Sequence, residues 1–528
     1  MNNSWKKILL LLFLVMTIGL TACNSRTQPA ESSTPASSSK AAASSEASQA
    51  EPVVIRLAGG DFGVPNPFRH TPRGPGIQKM RLIYDSMLEK DENGYIPWLA
   101  KEWESNDAKT EYIFTLKEDV LWHDGTPFTA EDVAFTFRYY EEHPPVSDDI
   151  HANGKSIIKN IEVLEPLKIK ITLEKFENVN LGKLGTARII PKHIWENVED
   201  PLSFAGEGQV VGCGPFVMTD YEPQTGSYRY VAFEQYWGPK HAVAAIEWIP
   251  VSDSTLAFEN GEIDLLNVSA DLLERYEGNP EYQVDKQHPY HAYRLMMNMK
   301  VVPALQNQSV RQALAYAANR QELIDKVDRG AGTIASMGYI PDYDKKWYNP
   351  DIMQYEFNLA KAKELLGGQT YHFEMLVGDM VETKIAELLK LSYEQVGINI
   401  TIKTVDTKTR DGALKQGNYE LLLIHTGGMS GDPDYLRNIY GEKSTLLSGY
   451  SNPTINDLAR AQATEADEVK RLGMIHELQR LIAEDVPIVL LQSDKVNYVY
   501  RPAKYNGWVY TFDSNKPDHN KLSYLAKP

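Results

Sequence analysis

The spacing of apolar positions changes repeatedly along the chain from residue 53 onward, between a period of about two and a period of about 3.6 residues. The shorter period is typical of half-buried strands and the longer one of amphipathic helices, so the chain is predicted to mix both. Residues 76–90 carry apolar side chains on one helical face, residues 111–125 alternate as a hairpin does, and residues 161–174 alternate again. Further predicted strands are Val53–Ala58, Tyr228–Phe233, Ala245–Pro250 and 292–299.

Helices and strands alternate more regularly in the second half. A helix is predicted over residues 309–328, introduced by Ser309 and broken at Asn319, which can form a capping box with Glu322. Asn358 can cap a short helix that ends at Gly367. The other predicted elements are the strands 371–377, 398–405, 419–425 and 486–492 and the helices 382–396 and 464–485. Such alternation favours parallel strands and an α/β fold.

Length and charge limit the classes of protein that fit. The chain has 528 residues, whereas a single hydrophobic core stops growing at roughly 250–300 residues, so two or more lobes are expected. The formal net charge is −17. This charge argues against binding to nucleic acid and against electrostatic adhesion to anionic lipid.

The first 22 residues are predicted to be a signal peptide. Lys6 and Lys7 precede the apolar run Ile8–Leu20, whose 13 residues are too few to span a bilayer comfortably. The run ends in Leu-Thr-Ala-Cys, which resembles a bacterial lipobox, so residues 1–22 would be removed and Cys23 would carry lipid. The alternative is a signal followed by a chance cysteine.

Residues 23–52 are rich in Ser, Ala, Pro and Glu and contain almost no large apolar side chain. Such a segment cannot bury enough surface to fold, so it is predicted to be a disordered tether. With lipid on Cys23, the protein would be held at the outer face of the bacterial cytoplasmic membrane, extracellular or periplasmic. The second cysteine, Cys213, is expected to be a small buried filler rather than a nucleophile.

The stretch LWHDGTPFTA, residues 121–130, raises the question of a catalytic His-Asp pair. Asp124-Gly125 is a strong turn signal, and Thr129 with Asp132 resembles a capping box. A catalytic pair also needs a nucleophile or a metal, and the neighbouring sequence offers neither. The sequence also contains no Gly-x-Ser-x-Gly elbow and no His-Glu-x-x-His motif. We therefore predict a structural corner and a protein that is not an enzyme, with no cofactor and no metal site.

Several stretches occur in the order of one known family. They are LAKEWESNDAKTEYIFTLKEDVLWHDGTPFTAEDVAFTFRYY (99–140), IIPKHIWE (189–196), VGCGPFVMTDYEPQTGSYRYVAFEQYWG (211–238), FENGEIDLL (258–266), MMNMKVVPALQNQSVRQALAYAANRQELID (296–325) and GDPDYLRNIY (431–440). Together they resemble the family-5 extracellular solute-binding proteins of ABC importers, which include oligopeptide, dipeptide and nickel binders. The resemblance runs from about residue 53 to the end of the chain.

The resemblance implies a two-lobed α/β fold like that of periplasmic binding proteins (type II, cluster C), with an extra domain inserted in lobe I. Lobe I would comprise residues 53–90, 210–297 and 493–528, the inserted domain 91–209, and lobe II 298–492. The lobes would close on a ligand like a hinge, and the closed form would dock on a permease.

The resemblance also places the ligand between the lobes. The implied ligand-binding residues are Phe62, Arg73, Arg188, Met297, Asn298, Met299, His425, Gly428, Met429, Asp432 and Tyr435. Alternatives remain open: Phe62 and Met297 would also suit a core, Arg73 and Arg188 a solvated surface, and Asp432 the start of a helix.

The ligand class follows from departures from the family pattern. In dipeptide binders an aspartate follows the Thr-Gly step and an arginine holds the ligand carboxylate. Here Gly428 and Met429 follow that step, and residues 376–384 contain no arginine. We therefore expect peptides longer than dipeptides. A nickel chelate, a metallophore or another small anionic solute held by Arg188 and His425 is the alternative, as is a peptide receptor without a transport role.

The family resemblance and the predicted lipid anchor also imply the partners of the protein. They are the peptide ligand, the permease and ATPase of an ABC transporter, and the membrane through the lipid on Cys23. No nucleic acid is expected, and the protein is expected to be a monomer.

Overall fold

The computed structural model describes residues 53–71, 74–91, 94–147, 150–152, 154–288, 291–427, 431–441, 444, 446–513 and 516–527. Several sequence predictions lie outside these residues: the signal peptide and tether over residues 1–52 with Cys23, then Arg73, Gly428 and Met429. Within the described ranges, no helix has both the length and the apolar composition needed to cross a membrane.

Strands occur throughout the described chain and are numbered here in chain order. Those in the first part are β1 (Val54–Ala58), β2 (Leu88–Asp91), β3 (Gly94–Pro97), β4 (Ala100–Ser105), β5 (Glu111–Leu116), β6 (His151–Ala152), β7 (Lys155–Ser156), β8 (Ile158–Glu165), β9 (Lys168–Leu173), β10 (Phe216–Glu222), β11 (Ser227–Ala232) and β12 (Ala245–Ile249). Those in the second part are β13 (Leu265–Val268), β14 (Gln283–Lys286), β15 (His291–Met297), β16 (Thr333–Ile334), β17 (Tyr371–Val377), β18 (Ile398–Thr404), β19 (Leu421–Gly427), β20 (Ile488–Asp494), β21 (Asn497–Tyr500), β22 (Tyr510–Asp513) and β23 (Lys516–His519).

The α-helices are numbered in the same way. They are α1 (Gly74–Ile83), α2 (Ala130–Glu142), α3 (Asn180–Thr186), α4 (Lys192–Trp195), α5 (Ser254–Glu259), α6 (Gln308–Ala317), α7 (Arg320–Lys326), α8 (Leu359–Leu366), α9 (Met380–Glu394), α10 (Thr407–Gln416), α11 (Tyr435–Tyr440), α12 (Pro453–Ala461) and α13 (Glu468–Asp485). Short 3₁₀ turns lie at Ala270–Arg275, Pro303–Gln306, Gln462–Thr464 and Lys521–Tyr524.

The first lobe contains two sheets built from distant parts of the chain. One has the order β1-β12-β11-β10, with β1 parallel to β12 and the other pairs antiparallel. The other has the order β13-β21-β14, and its central strand comes from near the end of the chain. The core beneath the first sheet contains Ile55, Tyr228, Tyr230 and Trp248.

A four-stranded antiparallel sheet of order β4-β5-β9-β8 carries the segment predicted to be an inserted domain. In its two central strands, buried side chains alternate with half-buried ones, and Phe114, Ile169 and Ile171 are fully buried. Helix α2 packs on this sheet and begins at the predicted capping box of Thr129 and Asp132.

The second lobe is organised around a six-stranded sheet of order β16-β20-β15-β19-β17-β18. Strand β17 runs parallel to both of its neighbours, as strand–helix–strand alternation predicts, whereas β15 is antiparallel to β19 and β20. Buried side chains from α6, α9 and α13 share a core with this sheet.

Strand β15 corrects the predicted lobe boundary at residue 297. Because β15 pairs along its length with β19 and β20, residues 291–297 belong to the second sheet rather than to lobe I. With this pairing, the chain is expected to leave the predicted lobe I between β14 and β15 and to return between β20 and β21. The apolar run gave no sign of this boundary, since a buried strand has the same composition in either lobe.

Three predicted elements also differ from the structure. The helix predicted over 76–90 ends at Ile83, because the Ile83 carbonyl accepts a hydrogen bond from the Gly214 N–H at 2.7 Å and the chain then forms β2. Residues 111–125 do not form a hairpin, since β5 pairs with β4 and β9. Helix α6 is capped by Asn307 rather than begun by Ser309.

Candidate functional site

The first crossing between the lobes leads directly to one end of the six-stranded sheet. There β15 begins and its antiparallel partner β19 ends, so that Tyr293 lies opposite His425. The two rings are stacked, with centroids 4.3 Å apart and an interplanar angle of 22°. The His291 ring lies 5.1 Å from that of His425. The predicted ligand residue His425 is thus part of an aromatic group beside the crossing.

Arg294 is the main charged residue at this sheet end. Its side chain is 5% exposed, and its Nη2 donates to the carbonyl oxygens of Thr426, at 3.2 Å, and of Gly427. Its guanidinium carbon lies 4.3 Å from the ring centroid of Tyr339, an arrangement typical of a cation–π contact. The Tyr339 ring is 5.2 Å from that of Tyr435, another predicted site residue.

Five of the buried polar atoms without a hydrogen-bond partner among the described residues lie on this sheet or next to it. They are Arg294 Nε, Ser336 Oγ, Thr426 Oγ1 and both side-chain polar atoms of Gln492. Leaving such a group unpaired costs about 1–3 kcal/mol. Thr426 lies opposite Ala292, and Ala292 shares a face with Arg294, because side chains two residues apart on a strand point to the same side. Thr426 and Arg294 therefore lie on one face of the sheet. This sheet end is therefore suited to a polar or charged ligand.

The segment between β19 and α11 contributes two aspartates that are already paired. Arg471 donates to both carboxylate oxygens of Asp432, at 2.9 and 2.6 Å. Asp434 accepts from Arg437 at 2.6 Å and from the Gln462 amide at 2.8 Å. Burial raises the pKa of Asp434, and the Arg437 charge opposes that rise only in part. Both carboxylates thus hold the segment against the rest of its lobe, and a ligand role for Asp432 stays a prediction.

The same network reaches the loop that follows β9. Arg437 donates to both carboxylate oxygens of Glu177, at 3.2 and 3.1 Å. The Asn178 side-chain amide donates to three carbonyl oxygens of residues 462–465 at 3.0–3.1 Å. We call this set of bonds the Glu177 contact. It joins the segment predicted to be the inserted domain directly to the second lobe.

The electrostatics of the Glu177 contact are strong. Glu177 is 4% exposed. Burial raises its pKa, but the hydrogen bonds and charges of Arg437 and Lys175 outweigh burial and hold the pKa at about 2. The carboxylate is therefore charged at neutral pH, and its bonds to Arg437 are charge-assisted.

Phe62 lies in the loop after β1, in the first lobe. Its N–H donates to the Tyr228 hydroxyl at 2.9 Å. The Lys79 ammonium lies 4.8 Å from the Phe62 ring centroid, 4.8 Å from that of Tyr228 and 4.6 Å from that of Trp248. The half-buried Phe62 ring thus covers a buried cation, and its role toward a ligand stays a prediction.

Arg188 lies in the segment predicted to be the inserted domain, and its side chain bonds residues of the first lobe. Its Nη1 donates to Ser86 Oγ at 3.0 Å and lies 3.5 Å from a carboxylate oxygen of Glu89. The side chain also borders a cavity of about 30 Å³, which has room for a water molecule or two but not for a peptide. Binding of a ligand anion by Arg188 stays a prediction.

Residues 297–299 are placed in the core of the second lobe. Met297 and Met299 are almost fully buried in that core. The Asn298 amide donates to the carbonyl oxygens of Gly417 and Tyr419, at 2.8 Å each. The Asn298 side-chain oxygen Oδ1 accepts from the N–H groups of residues 300 and 301. These contacts are structural, and the residues lie at the far end of β15 from Arg294.

His123 and Asp124 form the predicted corner. His123 Nε2–H donates to the Gly214 carbonyl at 2.9 Å, while Nδ1 accepts from the Gly212 N–H at 3.3 Å. Burial lowers the pKa of His123 to about 4, so the ring is neutral at pH 7. The Asp124 carboxylate pairs instead with His193, at 2.7 Å.

The structure brings together some of the predicted site residues and separates others. Tyr435 lies beside Tyr339, whose ring covers Arg294, whereas the His425 ring stacks on Tyr293 on the opposite face of the sheet. Phe62 belongs to the first lobe, Arg188 to the segment predicted to be the inserted domain, and residues 297–299 to a core. Arg294 was missed, because its strand was read only as apolar. A charged residue inside the run AYRLMM was the available signal, since a buried charge needs a partner. The described residues contain no group of three or more His, Cys, Asp or Glu arranged to hold a metal ion.

Comparison with known proteins gives consistent results. Residues 94–446 match the family model described as bacterial extracellular solute-binding proteins, family 5 Middle. The nickel-binding periplasmic protein of Escherichia coli (strain K12) is 28% identical over 402 residues, which cover 71% of this chain and 75% of that protein. Di/tripeptide-binding protein 1 of Pseudomonas aeruginosa (strain UCBPP-PA14) is 25% identical over 463 residues, covering 79% and 84%.

Solved structures share the fold. The oligopeptide-binding protein AppA of Bacillus subtilis, in complex with a nonapeptide, matches with a TM-score of 0.69 and 20% identity. The match covers 90% of this chain and 100% of that one. The expected two-lobed α/β fold is thereby confirmed.

Proposed function

The chain belongs to family 5 of the bacterial extracellular solute-binding proteins, and from this membership we propose that it is the lipid-anchored substrate-binding protein of an ABC importer that captures oligopeptides. Ligand binding between the lobes would favour a closed form that docks on the permease, while a separate ATPase supplies the energy. The protein itself would carry out no chemistry on the ligand.

One observation carries the preference for oligopeptides: Asp432 and Asp434 are each already paired with an arginine of this chain. A binder that encloses a whole dipeptide must neutralise the α-amine of its ligand, since a buried unpaired charge is costly. The described aspartates after β19 are instead bonded to Arg471 and Arg437. A longer peptide whose amine reaches water does not need such a carboxylate.

Two relatives support peptides as the ligand class. The P. aeruginosa relative is described as a di/tripeptide-binding protein, and the B. subtilis structure holds a nonapeptide. Peptide binders of this kind gain affinity from main-chain hydrogen bonds, which makes them tolerant of side-chain sequence.

A small metal chelate is the second candidate. It is favoured by the 28% identity to a nickel-binding periplasmic protein and by the neighbouring rings of His291 and His425 at the sheet end. Imidazole nitrogens are common ligands of nickel.

Native mass spectrometry of the protein purified without refolding tests this proposal. Bound molecules would be released in the gas phase and sequenced. A ladder of peptide masses of four or more residues is the expected result. Only dipeptide masses, or a single small mass with a nickel isotope pattern, would contradict the oligopeptide proposal.

A further inference from the structure

We propose that Gln462 is a positioning residue for ligand binding: it links the predicted inserted domain to the start of α11 and thereby fixes residues that are expected to touch the ligand. This inference rests on the proposed function and assigns Gln462 a part in holding the ligand without touching it. Gln462 is the first residue of the 3₁₀ turn Gln462–Thr464 and is fully buried.

The side chain of Gln462 joins two groups of opposite charge within the second lobe. Its Nε2 donates to Asp434 Oδ1 at 2.8 Å, and its Oε1 accepts from Arg471 Nη2 at 3.0 Å and Nε at 3.2 Å. Asp434 directly precedes α11, whose first residue is Tyr435, a predicted ligand residue. An amide suits this position, because it donates at one end and accepts at the other.

The backbone of the same turn receives the predicted inserted domain. The Gln462 carbonyl accepts from the Asn178 side-chain amide at 3.1 Å, and the Ala463 carbonyl accepts from the Asn178 N–H at 2.9 Å. Asn178 lies in the loop after β9. If this loop moved away, the turn carbonyls would lose these donors and need water instead. A shift of the loop therefore acts on the turn that directs the Gln462 side chain toward Asp434.

Both aspartates of the segment after β19 depend on this arrangement. Arg471, which donates to the Gln462 side chain, also donates to both carboxylate oxygens of Asp432. Burial raises the pKa of Asp434, and the Arg437 charge and the Gln462 hydrogen bond oppose that rise by favouring the charged form. Residues 432–434 are thus held in part through one amide, and a ligand that meets a preorganised segment loses less entropy on binding.

Arg437 forms a parallel connection, because it bonds both Glu177 and Asp434. That connection consists of ion pairs, whereas the one through Gln462 consists of an uncharged side chain and the carbonyls of its turn. Substitution of Asn178 leaves the bonds of Arg437 in place, so it tests the connection through Gln462.

Gln479 provides a matched control. It is likewise fully buried in the second lobe and is bonded at both ends of its amide. Its Nε2 donates to the Trp347 carbonyl at 2.7 Å, and its Oε1 accepts from the Asn349 N–H at 3.1 Å. These partners belong to the second lobe. Replacing Gln479 therefore disturbs a buried amide of the same size without disturbing the contact with Asn178.

The first experiment needs no ligand. Hydrogen exchange of residues 431–440 is measured by mass spectrometry in wild type, Asn178→Ala, Gln462→Met and the double variant. Asn178→Ala should speed this exchange about tenfold, which corresponds to about 1.4 kcal/mol. In the Gln462→Met background the same substitution should add less than about twofold, because the connection is already lost. The Gln479→Met background should retain the full effect.

The second experiment measures the dissociation of a hexapeptide library from the purified protein. Gln462→Glu keeps the acceptor for Arg471 but places a second carboxylate against Asp434, and two carboxylates so close cannot both be charged. Relative to wild type at each pH, dissociation should be at least about tenfold faster at pH 8 and should approach the wild-type rate at about pH 5. Gln479→Met should leave dissociation unchanged at both values. The other charged groups around this pair are those of Arg437, Arg471, Asp432 and Glu177.

Thermal unfolding shows which variants fold, and Gln462→Glu replaces Gln462→Met in the exchange experiment if the latter does not. Additive effects of the Asn178 and Gln462 substitutions on exchange, or a pH-independent rate ratio in Gln462→Glu, would overturn the positioning role. Loss of the Asn178 effect in the Gln479→Met background would overturn it as well, since any packing defect would then suffice. If the wild-type protein binds no library peptide, the peptide function is overturned, whereas the exchange experiment still decides the role of Gln462.

Discussion

Glu89 is a buried carboxylate whose cationic neighbours come from distant parts of the chain. Lys521 Nζ lies 2.6 Å and Arg188 Nη1 3.5 Å from the same carboxylate oxygen. Burial raises the pKa of Glu89, but the Lys521 and Arg188 charges outweigh burial and lower it from 4.5 to about 2. This ion cluster ties the end of the chain to the segment after α1.

We predict that Glu89→Gln lowers the free energy of unfolding by about 3–5 kcal/mol, because it leaves buried cations with one carboxylate fewer. The folded-state pKa is below the unfolded value, so the unfolded chain takes up the proton first as the pH falls. The stabilisation by Glu89 is therefore complete above about pH 4.5 and is lost as the pH falls toward 2.

Chemical denaturation of wild type and variant between pH 7 and pH 3 tests this. The stability difference should shrink toward the acid end. Glu104→Gln, on an exposed position of β4, is the control and should change stability by less than about 0.5 kcal/mol. A pH-independent difference would show that Glu89 acts through packing rather than charge.

Asn298 allows a second prediction for a single residue. Its side chain is fully buried and forms hydrogen bonds with four backbone groups. Asn298→Ala should cost about 2–3 kcal/mol of stability, because several buried backbone groups lose their partners. Ligand affinity measured on the folded variant should stay within about twofold of wild type, as it should for the volume-conserving control Met299→Leu. A loss of affinity without a loss of stability would instead support the ligand role that the family resemblance implies.

The Glu177 contact is a link between elements that are far apart in the chain. It joins the loop after β9 to α11 and to the 3₁₀ turn at Gln462–Thr464. The same Arg437 side chain bonds Asp434, in the segment that follows β19 at the sheet end. A change in that segment can therefore alter the Glu177 contact. Loss of the Glu177 contact can equally alter that segment, since coupling between two sites is reciprocal.

We predict that Glu177→Gln destabilises the closed form by about 1–3 kcal/mol, the contribution of hydrogen bonds to charged groups. The fraction of closed molecules, measured by distance between fluorophores placed on the two lobes, should fall, and ligand should dissociate faster. Lys175→Ala is the matched control, because Lys175 contacts the same carboxylate but its side chain is 67% exposed, and exposed pairs contribute about 0–1 kcal/mol. Equal effects of the two variants would contradict the prediction.

Local sequence signals predicted elements well where the determining contacts are local. Asn358 caps α8 and Gly367 ends it with φ of 59°, and Asn319 caps α7 at the predicted break. The strand 371–377 was predicted to the residue. In each case the signal, a capping residue or the spacing of apolar residues, lies within the element that it defines or next to it.

Distant contacts account for the elements and site residues that were missed. Helix α1 ends at Ile83 because of a bond to Gly214, which lies far along the chain. The assignment of β15 to its sheet depends on pairing with β19 and β20. The surroundings of Arg294 are formed by Thr426, Gly427 and Tyr339, which are distant from it in the sequence. Periodicity within a short window cannot report such contacts, whereas the order of family motifs along the chain did predict the two-lobed fold.

At the scale of the whole molecule, ligand binding and membrane attachment are assigned to separate parts of the chain. The described globule begins at residue 53, whereas the lipid is predicted on Cys23, outside the described residues. The Glu177 contact lies within the globule. If this division holds, anchoring and binding should respond independently to mutation.

We predict that Cys23→Ser releases the protein from bacterial membranes into the soluble fraction, because the lipid would no longer be attached. One acyl chain gives only marginal membrane binding and two give a stable anchor, so complete loss of lipid should shift nearly all of the protein. Ligand affinity and thermal unfolding of the released protein should equal those of the detergent-extracted wild type. Cys213→Ser is the matched control, since Cys213 is fully buried in the first lobe and should leave membrane attachment unchanged. Retention of the Cys23→Ser protein on membranes would contradict the lipid anchor, and loss of ligand binding in the released protein would contradict the separation of the two roles.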